Sequence, residues 1–352
     1  TALNADGTIA SASGKLDGGA WSVTGGALSA EAENDITLTE GLGADNTSAP
    51  AKAVSLTSVS GGIYSPTVTV TGGSYAMDAE TDVAIGTLTA TNANGTITSA
   101  NGKIDGDAWS IVNGSLSMEA KGDVTLTGGL TADNSAAAGR LVSIISRLGG
   151  FSGGVLNLTG GRLVLAVAQG IHIGELTATD CESLAISALS GSAGYVPYDD
   201  EESATGGGSI TGGSWTLKNV TRADAVAYGG IRFDAALTLE RAQLNMASTS
   251  KGFAAQAVSV TNGSVLTLRT AADIAIDHLY GRGSKLRMTS LHRSGRSVGK
   301  RHDAVSGDAT GGGRFAADTV ALVGCETEIT VWGDIAIGET LEASEDEDDP
   351  DP

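Results

Sequence analysis

Residues 19–46 read GAWSVTGGALSAEAENDITLTEGLGADN, and residues 107–134 read DAWSIVNGSLSMEAKGDVTLTGGLTADN. Laid together without a gap, 1–49 and 89–137 share 31 of 49 residues at an offset of 88. A chain that repeats at fixed period builds one unit again and again, and each copy buries its apolar face only against the next. The frame continues beyond the quoted pair. TVTVTGGSYAMDAETDVAIGTLTATNA (67–93) falls on VLNLTGGRLVLAVAQGIHIGELTATDC (155–181) at the same offset.

A shorter beat runs inside each frame. The group Gly/Asn-Gly-small-apolar recurs from Gly25-Gly26-Ala27-Leu28 to Gly212-Gly213-Ser214-Trp215 and Asn262-Gly263-Ser264-Val265. A second group, Asp-Ile/Val, stands at Asp35, Asp82, Asp123, Asp273 and Asp334, and Gly170-Ile171 fills one slot without the acid. The first four slots lie 47, 41 and 47 residues apart, so halving gives a unit near 22 residues.

Ile36-Thr37-Leu38-Thr39 and Thr67-Val68-Thr69-Val70 alternate with a period of two, apolar on one face and hydroxylated on the other. The pattern predicts an all-β chain, a right-handed parallel β-helix (β-solenoid) with rungs of about 22 residues. Three short strands and three turns fill such a rung. Gly and Asn mark the corners, where positive φ is needed. Val23, Leu28, Ile36 and Leu38 line a narrow core, with Trp21, Trp109 and Trp215 as larger plugs. Residues 1–341 are expected to form one rod of thirteen or so rungs, roughly 60 Å long. Its frames are 1–88, 89–176 and a degenerate 177–341.

Of 352 residues, 51 are Gly, 5 are Pro and 4% are aromatic, a composition suited to many short strands joined by tight turns. A net charge of −20 argues against nucleic acid as a partner, because phosphate attraction needs a positive footprint. Cys181 and Cys325 make neither a disulfide framework nor a zinc pattern, and read as small half-buried residues. No stretch reaches the roughly 18–20 apolar residues of a membrane helix, so no membrane insertion of this segment is expected. The chain opens in mid-repeat at Thr1, as an excerpt from a longer polypeptide would.

Three stretches break the beat. SGSAGYVPYDDEESATGGGS (190–209) is polar and acidic, and Trp215 follows Trp109 by 106 residues instead of 88, so an 18-residue loop insertion is expected there. GRGSKLRMTSLHRSGRSVGKRH (281–302) concentrates seven Lys/Arg and two His in an acidic protein, and is read as a second loop insertion. EASEDEDDPDP (342–352) reads as a disordered acidic tail or linker.

The basic stretch is the one candidate ligand site. Arg282, Lys285, Arg287, Arg293, Arg296, Lys300 and Arg301 could grip a sulfated glycan, a phospholipid headgroup or another polyanion through charge-assisted bonds. The alternative is a solvated loop, or one neutralised by the acidic insertion or tail. The Asp of the Asp-Ile slot reads as a turn residue accepting backbone N–H bonds rather than a calcium ladder, which needs dense Gly-Gly-x-Gly-x-Asp runs. Six Asn-x-Ser/Thr sequons are explained by solenoid turn composition. No nucleophile elbow, phosphate loop, dinucleotide fingerprint or zinc pattern is present, so no catalytic residue, metal or cofactor is expected. The acids Asp199, Asp200, Glu201 and Glu202 sit in low-complexity sequence, not on a held framework.

The Gly-Gly-Ser/Ala-apolar corners, the Asp-Ile/Val-Ala-Ile-Gly phrases at Asp82 and Asp334, and the Ala-Thr-Asn-Ala-x-Gly turn at Ala90–Gly95 resemble the shaft repeats of the filamentous haemagglutinin family. That family comprises large Gram-negative exoproteins of two-partner secretion, and the likeness extends to autotransporter-type adhesins. It covers about 1–180 and, more loosely, 209–341. The resemblance implies a secreted or cell-surface, non-enzymatic rod that adheres to host or neighbouring-cell glycans or proteins, or self-associates into filaments. A β-helical polysaccharide lyase or hydrolase is the first rival, which clustered carboxylates on one long face would support. An ice- or mineral-binding solenoid is the second, suggested by Thr37/Thr39 and Thr125/Thr127 but skipping rungs.

Overall fold

The computed structural model describes residues 2–190, 206–291 and 312–344, and these contain strands and turns with no helix. The chain divides into two compact units, Thr1–Ala168 and Gln169–Pro352. Each unit is a parallel β-helix. In the first, eight strands from Ala2–Leu3 to Phe151–Thr159 pair in parallel, and eight from Gly7–Ser11 to Arg162–Val167 form a second parallel sheet. The second unit repeats the arrangement, with seven strands from Ile171–Thr179 to Ile335–Ser344 and six from Ser183–Ala188 to Glu326–Val331. Within each unit the chain alternates between the sheets, one long strand and one short strand per rung.

Register fixes the rung length. Trp21 stands beside Leu42, Leu42 beside Val68, Val68 beside Leu88 and Leu88 beside Trp109, in steps of 21, 26, 20 and 21 residues. Four rungs therefore close the 88-residue frame, and the 22-residue beat is the mean of one long rung and three short ones. The long rung owes its extra residues to the turn after Asn46, and its copy 88 residues on to the turn after Asn134. At the ends of these turns Lys52 reaches Asp6 at 2.7 Å, and Arg140 reaches the Asn94 side-chain oxygen at 2.9 Å. In the second unit the steps from Ile171 through Ile210, Ile231, Phe253, Ile274 and Phe315 to Ile335 are 39, 21, 22, 21, 41 and 20. The 39-residue step exceeds its 21-residue neighbour by the 18 residues inferred from the Trp spacing.

By hydrogen bonding a rung has two strands, not the expected three. Side-chain phase explains the difference. In Ile63–Thr71 the buried residues are Ile63, Ser65, Val68 and Val70, so the consecutive Pro66 and Thr67 both face outward. Val83–Thr91 breaks phase in the same place, burying Val83, Ile85, Leu88 and Ala90. Each long strand is thus two straight runs meeting at a corner, where the ladder also slips, as between Gly18 and Ala20 or between Gly212 and Trp215. Pro66 is tolerated there because a bulge spares it a ladder bond. The three-run rung is real, and one of its corners lies inside a continuous strand.

The corner after most long strands takes a left-handed residue, the exceptions being the two long rungs, which turn through Asn46 and Asn134. Asn4, Asn92, Asn113, Asn219 and Asn262 occupy it with φ between 47° and 58°, and Gly25, Gly72 and Gly160 do so in other rungs. These types meet the requirement at least steric cost. Several of the sequons fall on this column, which accounts for them as corner chemistry. The next position points inward and holds small side chains. Cys181 and Cys325 belong to it, each directing its thiol at a carbonyl two residues back, 3.4 Å away.

A third device closes the corner after the short strand. The buried residues Ser58, Ser99, Ser146 and Ser290 each end a short strand and donate to a carbonyl across the corner at 2.5–2.7 Å. The same oxygens accept the N–H of Gly61, Gly102, Gly149 and Gly313. A buried hydroxyl that both donates and accepts leaves no polar group unpaired.

The core column trades volume within a rung. Val23, Leu28, Ile36 and Leu38 are buried as expected, and so are Trp109 and Trp215, while Trp21 is half-buried. Where Trp fills one inward position, the inward position three residues earlier is Gly: Gly18, Gly106 and Gly212. A Cβ on Gly106 would lie 2.4 Å from the Trp109 ring nitrogen, which donates to the Ile85 carbonyl at 3.1 Å. The preceding rung fills the two equivalent positions with Ile85 and Leu88. Gly106→Ala is therefore expected to lower stability by about 1–3 kcal/mol through overpacking. Gly106→Ile with Trp109→Leu, which copies the neighbouring rung, should restore most of it. Urea unfolding of both variants checks the pair.

Candidate functional site

The acids of the Asp-Ile slot act between rungs. Asp35, Asp82, Asp123 and Asp273 each stand just before a long strand, and each presents Oδ1 to a backbone N–H of the following rung. The donors are Gly62 (2.8 Å), Lys103 (3.0 Å), Gly150 (2.7 Å) and Arg314 (2.9 Å). The carboxylate thus pairs an N–H at the corner, where the sheet ladder has not yet begun. The described residues contain no group of three or more His, Cys, Asp or Glu placed to hold a metal ion.

The basic stretch divides in two. Residues 281–290, expected to leave the helix as a loop, are ordinary rung: Gly281 and Arg282 finish the strand Ile274–Arg282, and Lys285–Ser290 is a short strand. The reason is the alternation Lys285-Leu286-Arg287-Met288, which buries Leu286 and Met288 and turns the two cations outward. The next rung sets Glu326 beside Lys285 and Glu328 beside Arg287. The pairs close at 2.7 and 2.8 Å. Neutralisation here comes from stacking, across 41 residues of sequence. Arg282 is exposed at its strand end. Arg293, Arg296, Lys300 and Arg301, with His292 and His302, lie outside the described residues, as do Asp199, Asp200, Glu201 and Glu202.

His172 faces outward in its strand, its Nδ1 3.1 Å from the Thr211 hydroxyl of the next rung. A shallow cleft of about 400 Å³ follows the bulge corner of the first unit, lined by Tyr64, Pro66, Ala84, Gly86, Asp105 and Asp107 among others. Its two carboxylates are engaged: Asp105 pairs with Lys103 at 2.6 Å, and Asp107 accepts the Thr127 hydroxyl at 2.9 Å. The Tyr64 hydroxyl is pushed to a higher pKa by burial first and by Asp35 and Asp82 second. The hollow follows from small Ala84 and Gly86 lying between the larger rungs on either side.

No protein-family profile, no curated protein and no solved structure matches this chain.

The Lys285–Glu326 pair supplies a direct check on the register across the second insertion. The hydrogen bond from Lys285, then its charge, holds the Glu326 carboxyl below the usual carboxylate range. A carboxyl lowered on folding adds stability above its unfolded pKa, and that contribution is lost as pH falls through the folded value. NMR titration should find Glu326 below an unperturbed Glu, and Lys285→Met should return it to the ordinary range while the other carboxyls keep their values.

Proposed function

We propose that this chain is a non-enzymatic structural and adhesive segment of a secreted or surface-anchored protein, a β-helical scaffold that holds binding elements at its non-repeated positions. One observation carries the reading: the polar side chains at the corners are engaged in holding one rung to the next. Asp35, Asp82 and Asp123 bond the following rung, and Ser58, Ser99 and Ser146 seal the corners. Asp35 with Asp123, and Ser58 with Ser146, repeat that duty 88 residues apart, which suits a scaffold better than a reaction centre, whose groups must converge on one substrate.

The two departures from the beat, inside the 39- and 41-residue steps, supply sequence that stacking does not prescribe. Surface segments positioned by a rigid framework are the usual place for recognition. The resemblance to the shafts of large exoproteins points the same way, towards glycans or proteins of a neighbouring surface. The cations Arg293, Arg296, Lys300 and Arg301 suit an anionic glycan, since the protein is otherwise acidic and would repel one elsewhere.

The test is a heparin and sulfated-glycan binding series with three chains: the natural one, one with Arg293, Arg296, Lys300 and Arg301 changed to Glu, and one with 192–204 replaced by a Gly/Ser linker of equal length. Salt-sensitive binding lost at least tenfold in the charge-reversed chain is expected. Equal binding by all three, or none by the natural chain to glycans or to cultured cells, overturns the reading.

A further inference from the structure

The second half of the long-strand sheet in the first unit presents two outward rows in continuous register. One row runs Ser22, Gly43, Thr69, Thr89, Ser110, Thr131, Asn157, and the other Thr24, Asp45, Thr71, Thr91, Val112, Asp133, Thr159. Thr67 beside Thr87 widens the array, so that Thr67, Thr69 and Thr71 lie directly over Thr87, Thr89 and Thr91. Six inter-strand spacings of about 4.8 Å give the rows a run of about 29 Å, and outward neighbours along a strand stand about 6.6 Å apart.

Two properties make this face available to an uncharged ligand, and the first sets it apart from the other sheet. First, it has no cation, and its two acids, Asp45 and Asp133, are tied back to the N–H and hydroxyl of Thr47 and Ser135. Those bonds, the hydroxyl's first, hold both carboxyls below the usual range. On the other sheet of the same unit the outward row Ala10, Glu31, Thr57, Asp78, Thr98, Glu119, Ile145 carries an acid in every second rung or so. Second, the hydroxyls of Thr69, Thr71, Thr87, Thr89, Thr91, Ser110 and Thr131 take no partner among the described residues. Thr39, Thr127 and the corner serines, by contrast, bond neighbouring backbone.

From these rows we infer that the face binds an uncharged polysaccharide laid along the stacking direction. Each hydroxyl offers one donor and two acceptor sites, which a polyol can meet in kind at a repeat close to one sugar ring. An anionic polymer would meet a protein of net charge −20 with no cation on this face, and a protein partner of ordinary size wants an apolar, aromatic centre that the face lacks. The inference rests on the adhesive reading but uses a different surface from the basic stretch and the insertions.

The probe is microcrystalline cellulose, in co-sedimentation with the full chain. Thr69→Val with Thr89→Val keeps β-branched shape and removes two central hydroxyls; Thr69→Lys with Thr89→Lys adds charge; Thr57→Lys, on the other sheet, is the control. Circular dichroism and melting establish that each variant is folded. Retention of the natural chain that persists when salt is raised several-fold, falls at least fivefold in the two double variants and is unchanged in Thr57→Lys is the expected result. No retention, retention untouched by the double variants, or a dimer that the Lys double variant splits overturns it. The adhesive reading is judged separately, since these variants leave 192–204 and 293–301 intact.

Discussion

Everything in this molecule depends on one requirement: the backbone of each rung is satisfied only by the rungs above and below it. A rung has no fold of its own, because its strands pair with counterparts some 21 residues away and not with each other. Parallel pairing in unbroken register then forces like positions into columns. A column accepts whatever fills its place, which is why Ile85 and Leu88 in one rung answer to Gly106 and Trp109 in the next. Sequence can drift inside a rung provided its total core volume and its corners hold.

The corners carry the specificity. Three features recur: a left-handed Asn or Gly after the long strand, a buried Ser at the end of the short one, and two consecutive outward residues inside the long strand. None depends on hydrophobicity. Together they fix where the chain turns and which residues face inward, so a slip of one position would expose the whole apolar column. Arg241 shows the strength of the demand, holding φ 50° with its guanidinium anchored to the Asn219 side-chain oxygen at 2.6 Å.

The fold was legible in the sequence because stacking writes itself as periodicity. Ile36-Thr37-Leu38-Thr39 gave the strand, Gly and Asn the corners, and the spacing of Asp35, Asp82 and Asp123 the rung. The phase break at Pro66-Thr67 was hidden, since two adjacent outward residues look like noise in an alternating pattern. The Ser58 and Ser99 seals were hidden too, in a chain where Ser is common on every face. Lys285 and Arg287 misled for a different reason. Their charge masks the alternation around Leu286 and Met288 that places them in a strand. Their partners Glu326 and Glu328 lie on the far side of the second insertion, at a separation no regular period predicts.

Polar residues in a β-helix divide into two populations, and the division is physical. Those at corners face backbone groups that the ladder has left unpaired, so they are drawn into bonds that hold rung to rung, as with Asp123 to the Gly150 N–H. Those in the middle of a strand face outward from a backbone already fully paired, as Thr69 and Thr89 do between their ladder neighbours. The first population cannot change without loosening the stack. The second is free to serve whatever lies against the sheet, and in this chain it is hydroxyl-bearing across most of the rungs of one face. Scaffold and surface are therefore separated within a single rung, a few residues apart.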